Sequence, residues 1–185
     1  MRTSIGGRSW YEYRVLEIGS VDRDAADFSK PRIEHRALST GVAGEDPIDL
    51  QQARTLLGRA AFWAGKEVAG RKLALVRRQE VRVGFGRDSG VPPRTGVALE
   101  LVYGQVQNGH GSGDFVAISE ATDPEYVWAW PQTPWVRQVP EGSLRFNLFG
   151  AFLQRDGVYV QILHFPPSEE VALAVARALR PIGSG

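Results

Sequence analysis

The most reactive residue types in this sequence gather between positions 107 and 125. His110, Asp114 and two serines, Ser112 and Ser119, supply the groups that a nucleophilic triad requires. No Gly-x-Ser-x-Gly segment follows a predicted strand, and geometry rather than composition defines such a triad. A hydrolase or transferase that uses His110 and Asp114 is therefore an alternative function, and the sequence assigns no catalytic residue.

Glycines surround this histidine in the segment Gly109-His-Gly-Ser-Gly113. Backbone N–H groups of such a loop can cradle a phosphate. The segment lacks a Walker-type lysine, and the residues after it predict a strand rather than a helix. We therefore interpret 107–114 as a mobile hairpin connection.

Metal and paired-carboxylate chemistry have less support. Glu120, Asp123 and Glu125 lie together after a predicted strand, and we interpret them as an exposed acidic turn. The three histidines are widely spaced, and the chain has no cysteine, so neither a metal site nor a disulfide is predicted. His164 is expected at a strand end with its ring hydrogen-bonded. The sequence predicts no cofactor.

Aromatic residues form the best candidate binding surface. Tyr126, Trp128, Trp130 and Trp135 fall within ten residues and are interleaved with prolines. An extended backbone would place the first three on one side, where they can line an apolar groove or a partner surface. Trp63 completes the predicted set. The alternative is that these rings cap an open end of the sheet as part of the core.

The N-terminal quarter is predicted to hold one strand and an irregular connector. Residues 10–18 are rich in aromatic and β-branched side chains, as strands are. Residues 19–46 are polar and poorly periodic, with a short strand near 33–38. We assign residues 1–45 to this strand and connector, and residues 46–185 to an α+β domain, as one structural unit overall.

A short helix and a series of strands follow. Asp49 is a plausible N-cap, Gln52 completes a capping box, and Gly58 ends the helix. The strands predicted next are 72–76, 81–85, 97–106 and 115–119. Arg77, Arg78 and Arg82 are expected to mark a solvated strand face.

The C-terminal third is predicted with every local signal in agreement. Strands over 144–153 and 158–165 flank Asp156-Gly157, a type I′ turn signal. Both faces of 158–165 are apolar, which favours a central strand. Ser168 caps a helix over 168–180, and its expected buried stripe is Val171, Ala174, Val175, Ala178 and Leu179.

These elements predict an α+β fold. It contains a largely antiparallel sheet of about six to eight strands and two helices, the C-terminal helix packed on the sheet. With 22 basic and 21 acidic residues the net charge is +1, which provides no field for nucleic acid. No apolar stretch suits a membrane span or a signal peptide, so we expect a cytoplasmic chain or one whose export segment is missing.

The run from Gly150 to Leu163, followed by Ser-Glu-Glu and Ala-Arg-Ala-Leu-Arg-Pro, resembles the end of certain bacterial extracytoplasmic domains. These occur in lipoproteins and in the outer parts of membrane-anchored anti-sigma factors, and they look related to the lipoprotein-carrier fold. Phe62-Trp-Ala-Gly65 and Gly70-Arg-Lys-Leu73 are similar to segments of uncharacterised actinobacterial exported proteins. The resemblance covers about residues 46–182 and carries no catalytic residue.

The resemblance implies binding or sensing outside the membrane. The expected partner is an apolar or amphiphilic small molecule, an envelope component or an envelope protein, with membrane anchoring and oligomeric state left open. A structural or self-assembly role is a third hypothesis. It would bury exposed strand edges or aromatic residues between copies of the chain.

Overall fold

The computed structural model describes residues 2–5, 8–11, 39–84, 92–127, 135–139, 142–147 and 150–183. The chain divides into two compact units, residues 1–34 and 35–185. In the first unit, β1 (Arg2–Ile5) pairs antiparallel with β2 (Arg8–Tyr11). The strand predicted over 10–18 overlaps only the end of β2, and the rest of it lies outside the described residues.

The second unit is built on one antiparallel sheet. In chain order its elements are β3 (Ser39–Pro47), α1 (Leu50–Leu56), β4 (Phe62–Trp63), β5 (Glu67–Val68), β6 (Arg71–Gly84), β7 (Arg94–Gln107), β8 (His110–Ala121), a 3₁₀ turn (Pro124–Tyr126), β9 (Trp135–Val139), β10 (Gly142–Asn147), β11 (Gly150–Arg155), β12 (Val158–Phe165), α2 (Glu169–Ala178) and β13 (Arg180–Pro181).

Eight strands follow the spatial order β3-β6-β7-β8-β12-β11-β10-β9, and β5 adds to the start of β6. All of these pairings are antiparallel. The connection after β8 crosses to the far edge, from which β9 to β12 return in sequence. The described residues thus confirm the predicted antiparallel sheet with two helices, and an α+β fold.

Two tight turns have the geometry that their residue types predict. Asp156 and Gly157 have φ of 50° and 78°, the left-handed values of a type I′ turn. Asn108 and Gly109 have φ of 52° and 78° and join β7 to β8 in the same way. The predicted hairpin connection is therefore present, but its predicted length over 107–114 is wrong, because a two-residue turn lets β8 begin at His110.

Two further predictions of irregular structure are also wrong. Residues 39–46, predicted within the connector, lie in β3 and pair with β6. The predicted break after 76 is absent, since β6 runs for 14 residues. Its polar middle continues the ladder because β3 and β7 supply partners on both sides. The strand expected near 33–38 lies outside the described residues.

The helix caps are confirmed. Gln52 N donates to Asp49 Oδ1 at 2.7 Å, and Asp49 N donates to Gln52 Oε1 at 2.9 Å. Val171 N donates to Ser168 Oγ at 3.3 Å. The predicted ring hydrogen bond of His164 is also present, because Ser168 N donates to His164 Nδ1 at 2.9 Å.

The predicted buried stripe of α2 requires correction. Ala174 is exposed, whereas Ala172, Val175 and Ala176 are buried. The helix is turned by its contacts with β11 and β12, and it ends at Ala178 because the next residues pair with β4. Within the described residues no helix is long and apolar enough to span a membrane.

The two faces of the sheet differ in character. On the face that contacts the helices, which we call the helix face, Leu101, Ile118 and Ile162 are fully buried against α1 and α2 residues such as Ala53 and Val175. Each such large side chain contributes roughly 1.5–3 kcal/mol. The other face, which we call the cavity face, is buried as well but carries polar residues at its centre.

Candidate functional site

A row of polar side chains crosses the cavity face. Arg77, Glu100, Ser119 and Gln161 lie directly opposite one another on β6, β7, β8 and β12. Residues opposite one another in adjacent strands project from the same face, about 5 Å apart. Their exposed fractions are only 5%, 9%, 9% and 1%. We call these four residues the polar row.

A cavity of about 210 Å³ opens over this row. Three members of the row line it, together with further residues of β3, β6 and β12 and one residue of the 3₁₀ turn. The lining residues are Gly41, Val42, Gln79, Val81, Glu100, Ser119, Tyr126, Gln161 and Leu163. A dry apolar cavity of about 150 Å³ is enough to bind benzene. This space therefore accommodates a small organic molecule.

Gln161 leaves a hydrogen-bond donor unused at this cavity. Its Nε2 is buried and has no acceptor among the described residues. The Ser119 hydroxyl lies beside it in the cavity wall. An unpaired buried polar group costs about 1–3 kcal/mol, and buried groups are normally paired, so this amide requires an explanation.

Glu100 is held by a buried arginine. Its Oε2 accepts from Arg77 Nε at 2.5 Å and from Gln79 Nε2 at 3.4 Å. Arg77 also pairs with the carboxylate of Glu45 and donates to Gly109 O at 2.7 Å. Burial raises the pKa of Glu100, and the guanidinium of Arg77 opposes that rise. The arginine is fully engaged, while Glu100 Oε1 accepts from no described residue.

Tyr126 forms part of the cavity wall because of how its turn is fixed. Asp123 Oδ1 accepts from Glu125 N at 2.9 Å and so caps the 3₁₀ turn that ends at Tyr126. The Tyr126 ring lies over Gly96 of β7, where an added Cβ would be 2.1 Å from its Cε2. Only a residue without a side chain admits the ring there.

Trp63, another predicted binding residue, lies elsewhere. It packs against the helix-face core, while Tyr126 packs against a separate cluster on the cavity face. The guanidinium of Arg180 lies 5.6 Å from the Trp63 ring centroid. Trp63 Nε1 is buried without an acceptor among the described residues. The structure therefore does not bring Trp63 and Tyr126 together.

The other predicted aromatic residues are not described in full. Trp128 and Trp130 lie outside the described residues. Trp135 begins β9, of which only the backbone is described at that position. A single aromatic surface built by this cluster stays a prediction.

His110 and Asp114 have separate arginine partners. His110 Nδ1 lies 3.3 Å from Arg77 Nη2, at the end of the polar row. Asp114 pairs with Arg71, whose Nε donates to Asp114 Oδ1 at 2.9 Å. No hydrogen bond in the described residues joins His110 to Asp114. This arrangement gives the alternative of catalysis at these two residues no added support.

The sequence interpretation missed Arg77. It was expected on a solvated face with Arg78 and Arg82, and only Arg82 is exposed. Arg77 instead shares the buried face with Val81 and Val83, which lie four and six residues further along β6. That alternation with buried valines was the available signal.

The prediction that Glu120 lies in an exposed acidic turn is also wrong. It follows Ile118 on the helix face, is completely buried, and accepts from Phe62 N at 2.9 Å. Burial raises its pKa to about 8. Beside it, the Tyr103 hydroxyl accepts from Ala64 N at 3.0 Å, and burial raises the Tyr103 pKa to about 12. These two side chains hold the segment 62–64 against the sheet.

Comparison with known proteins does not help to interpret this site. The chain matches no family model, and no curated protein or solved structure shows significant similarity to it. In the described residues, no three His, Asp or Glu side chains gather as a metal site would require. The site must therefore be interpreted from its own contacts.

Proposed function

We propose that this chain is a non-enzymatic binding domain that holds a small amphiphilic molecule in the cavity over the polar row. The observation that carries the proposal is the Gln161 amide, buried in the cavity wall without an acceptor among the described residues. A ligand oxygen that accepts from Nε2 would remove a cost of about 1–3 kcal/mol. Ligand binding therefore explains a position that packing alone leaves unfavourable.

The wall suits an amphiphile because it is divided between polar and apolar groups. Val81, Leu163 and the Tyr126 ring supply apolar contact, and Glu100 and Ser119 supply hydrogen-bonding groups. Binding sites commonly combine an apolar lining with a few polar groups that fix orientation. A volume of about 210 Å³ suits a molecule of roughly ten non-hydrogen atoms.

An extracytoplasmic location belongs to the same proposal. It is supported by the resemblance of the strand, turn and helix over 150–181 to domains of bacterial lipoproteins and anti-sigma factors. Fractionation of the native cells with an antibody against this chain tests it. Recovery in the cytosolic fraction alone would contradict the location without affecting the cavity.

The binding function is tested by thermal denaturation and by NMR of the side-chain amides. The ligands are small alcohols, amides, amines and carboxylic acids of roughly ten non-hydrogen atoms. At a ligand concentration of about 100 Kd, the folded state gains about 2.7 kcal/mol, which raises Tm by several degrees. We expect at least one of these four ligand classes to raise Tm and to shift the NMR resonances of the Gln161 side-chain amide.

Matched variants separate the cavity from the surface. Ser119→Leu fills the centre of the cavity, whereas Ala74→Leu adds the same side chain at an exposed position of β6. We expect the first to abolish the ligand response and the second to retain it. If no ligand class changes the Tm of the wild-type protein, and if the Ser119→Leu variant has a higher Tm than the wild type, the space is a packing void and the proposal is wrong.

A further inference from the structure

The hydrogen-bonding groups of the cavity wall differ in charge and in whether they donate or accept. Of its described lining residues, Glu100 contributes the single carboxyl group, and none is a lysine or an arginine. Ser119 can donate or accept, and Gln161 Nε2 can only donate. Among the polar groups of the wall, Glu100 therefore offers a charged acceptor and Gln161 an uncharged donor, with the Ser119 hydroxyl between them.

The free acceptor is a specific oxygen. Both described hydrogen-bond donors to Glu100, Arg77 and Gln79, contact Oε2. Oε1 of the same carboxylate receives no hydrogen bond from the described residues. A carboxylate of this kind can accept a further charge-assisted hydrogen bond from a ligand.

The charges around Glu100 favour a cation. Glu45 from β3 and Glu100 from β7 both pair with Arg77 from β6, so two carboxylates share one guanidinium. His110 Nδ1 from β8 lies 3.3 Å from Nη2, the guanidinium nitrogen that also pairs with Glu100. Two carboxylates therefore face a single guanidinium in this group. A buried charge of this kind is best neutralised by a partner.

We propose that the ligand carries a protonated amine, which pairs with Glu100 Oε1, and an adjacent oxygen, which accepts from Gln161 Nε2. This inference rests on the proposed binding function. The apolar part of the ligand lies against Val81 and Leu163. The Tyr126 ring adds an electron-rich face that attracts an ammonium group.

The order of the polar row suits this ligand. Ser119 stands between Glu100 and Gln161, one strand from each. Its hydroxyl can accept from the amine or donate to the oxygen. A carboxylate ligand is disfavoured because it would bring a second negative charge to Glu100, and Arg77 has no free donor directed to it among the described contacts.

Four related small molecules test the inference by isothermal titration. 2-Phenylethanolamine carries the amine, the oxygen and an apolar ring. 2-Phenylethylamine lacks the oxygen, and 1-phenyl-1,2-ethanediol has a hydroxyl in place of the amine. Mandelate has a carboxylate in place of the aminomethyl group. We expect 2-phenylethanolamine to bind roughly tenfold or more tightly than the diol, and mandelate to bind most weakly.

Variants identify the acceptor. Glu100→Gln should remove the preference for the amine over the diol while the diol still binds, and Glu67→Gln, at an exposed position of β5 outside the cavity wall, should keep that preference. Unfolding by urea checks that both variants fold. The amine preference should also fall on acidification, beginning above the usual range of a glutamate because burial raises the Glu100 pKa.

The outcomes distinguish the two proposals. Equal affinity of the wild-type protein for the amine and the diol, or retention of the preference in Glu100→Gln, would overturn the amine assignment and leave the binding function in place. Failure of all four molecules, together with no response to the wider set of amphiphiles, would overturn both.

Discussion

The ring of Tyr126 lies directly on the backbone of Gly96, and this contact makes Tyr126 part of the cavity wall. A Cβ at position 96 would lie 2.1 Å from Cε2 and 2.3 Å from Cζ of the ring. Real Cβ atoms do not approach other atoms so closely. The ring can therefore keep its place only while residue 96 is glycine.

Gly96→Ala is expected to displace Tyr126 and to destabilise the protein by about 1–3 kcal/mol, as overpacking does. Urea unfolding measures the change, and ligand titration should show weaker binding. Gly41→Ala is the matched control. Gly41 also lines the cavity, but its Cβ would meet no atom within 4 Å, so we expect a change within about 0.5 kcal/mol. Equal effects of the two substitutions would contradict this account.

Arg77→Met should be strongly destabilising, by about 3–5 kcal/mol, because it leaves the Glu100 carboxylate buried without its cation. Adding Glu100→Gln should recover part of the loss. A double-mutant cycle measured by urea unfolding gives the coupling between the two residues. Additive effects would show that the arginine does not stabilise the buried carboxylate.

Glu120 should make stability depend on pH. Its pKa is raised to about 8 in the folded state, so the folded protein keeps a proton that the unfolded chain releases above about 4.5. The free energy of unfolding therefore falls by roughly 1.4 kcal/mol per unit as pH rises through that window. This contribution is fully present below pH 4.5 and lost above 8.

Glu120→Gln should remove this slope, since the amide oxygen can still accept from Phe62 N. Urea unfolding at several pH values measures this slope of the free energy of unfolding against pH. Glu67→Gln, at an exposed position of β5, provides the control and should leave the Glu120 contribution intact. An unchanged slope in Glu120→Gln would mean that another group binds the proton.

Tyr103→Phe removes the hydroxyl that accepts from Ala64 N, and the stranded N–H should cost about 1–3 kcal/mol. Hydrogen exchange should show faster exchange of the Ala64 amide than in the wild-type protein. In the control, Tyr126→Phe removes an exposed hydrogen bond of 3.4 Å to Thr95 O and should not affect Ala64. Unchanged exchange at Ala64 would contradict the contact.

Turns and helix caps were predictable from neighbouring residues along much of the chain. The Asp156-Gly157 turn and the caps at Asp49 and Ser168 were predicted correctly because each depends on residues within about four positions. The central position of β12 was predicted from its two apolar faces, and it pairs with β8 and β11. These features were enough to indicate an antiparallel α+β fold.

The candidate site was only partly predictable. Tyr126 was named as a binding residue, and it lies in the wall of the cavity. Arg77 and Glu120 were expected in solvent because charged residues are rarely buried without partners. Their partners come from distant strands: Glu100 lies 23 positions from Arg77, and Phe62 lies 58 positions from Glu120.

The sequence by itself determined where strands turn and where helices begin, since neighbouring residues control those events. Only the tertiary structure decided that β12 lies beside β8, which aligns Gln161 with Ser119 and Glu100. A shift of one residue in that register would turn Gln161 to the helix face. The cavity therefore depends on strand pairing between segments far apart in the chain, and no local pattern encodes it.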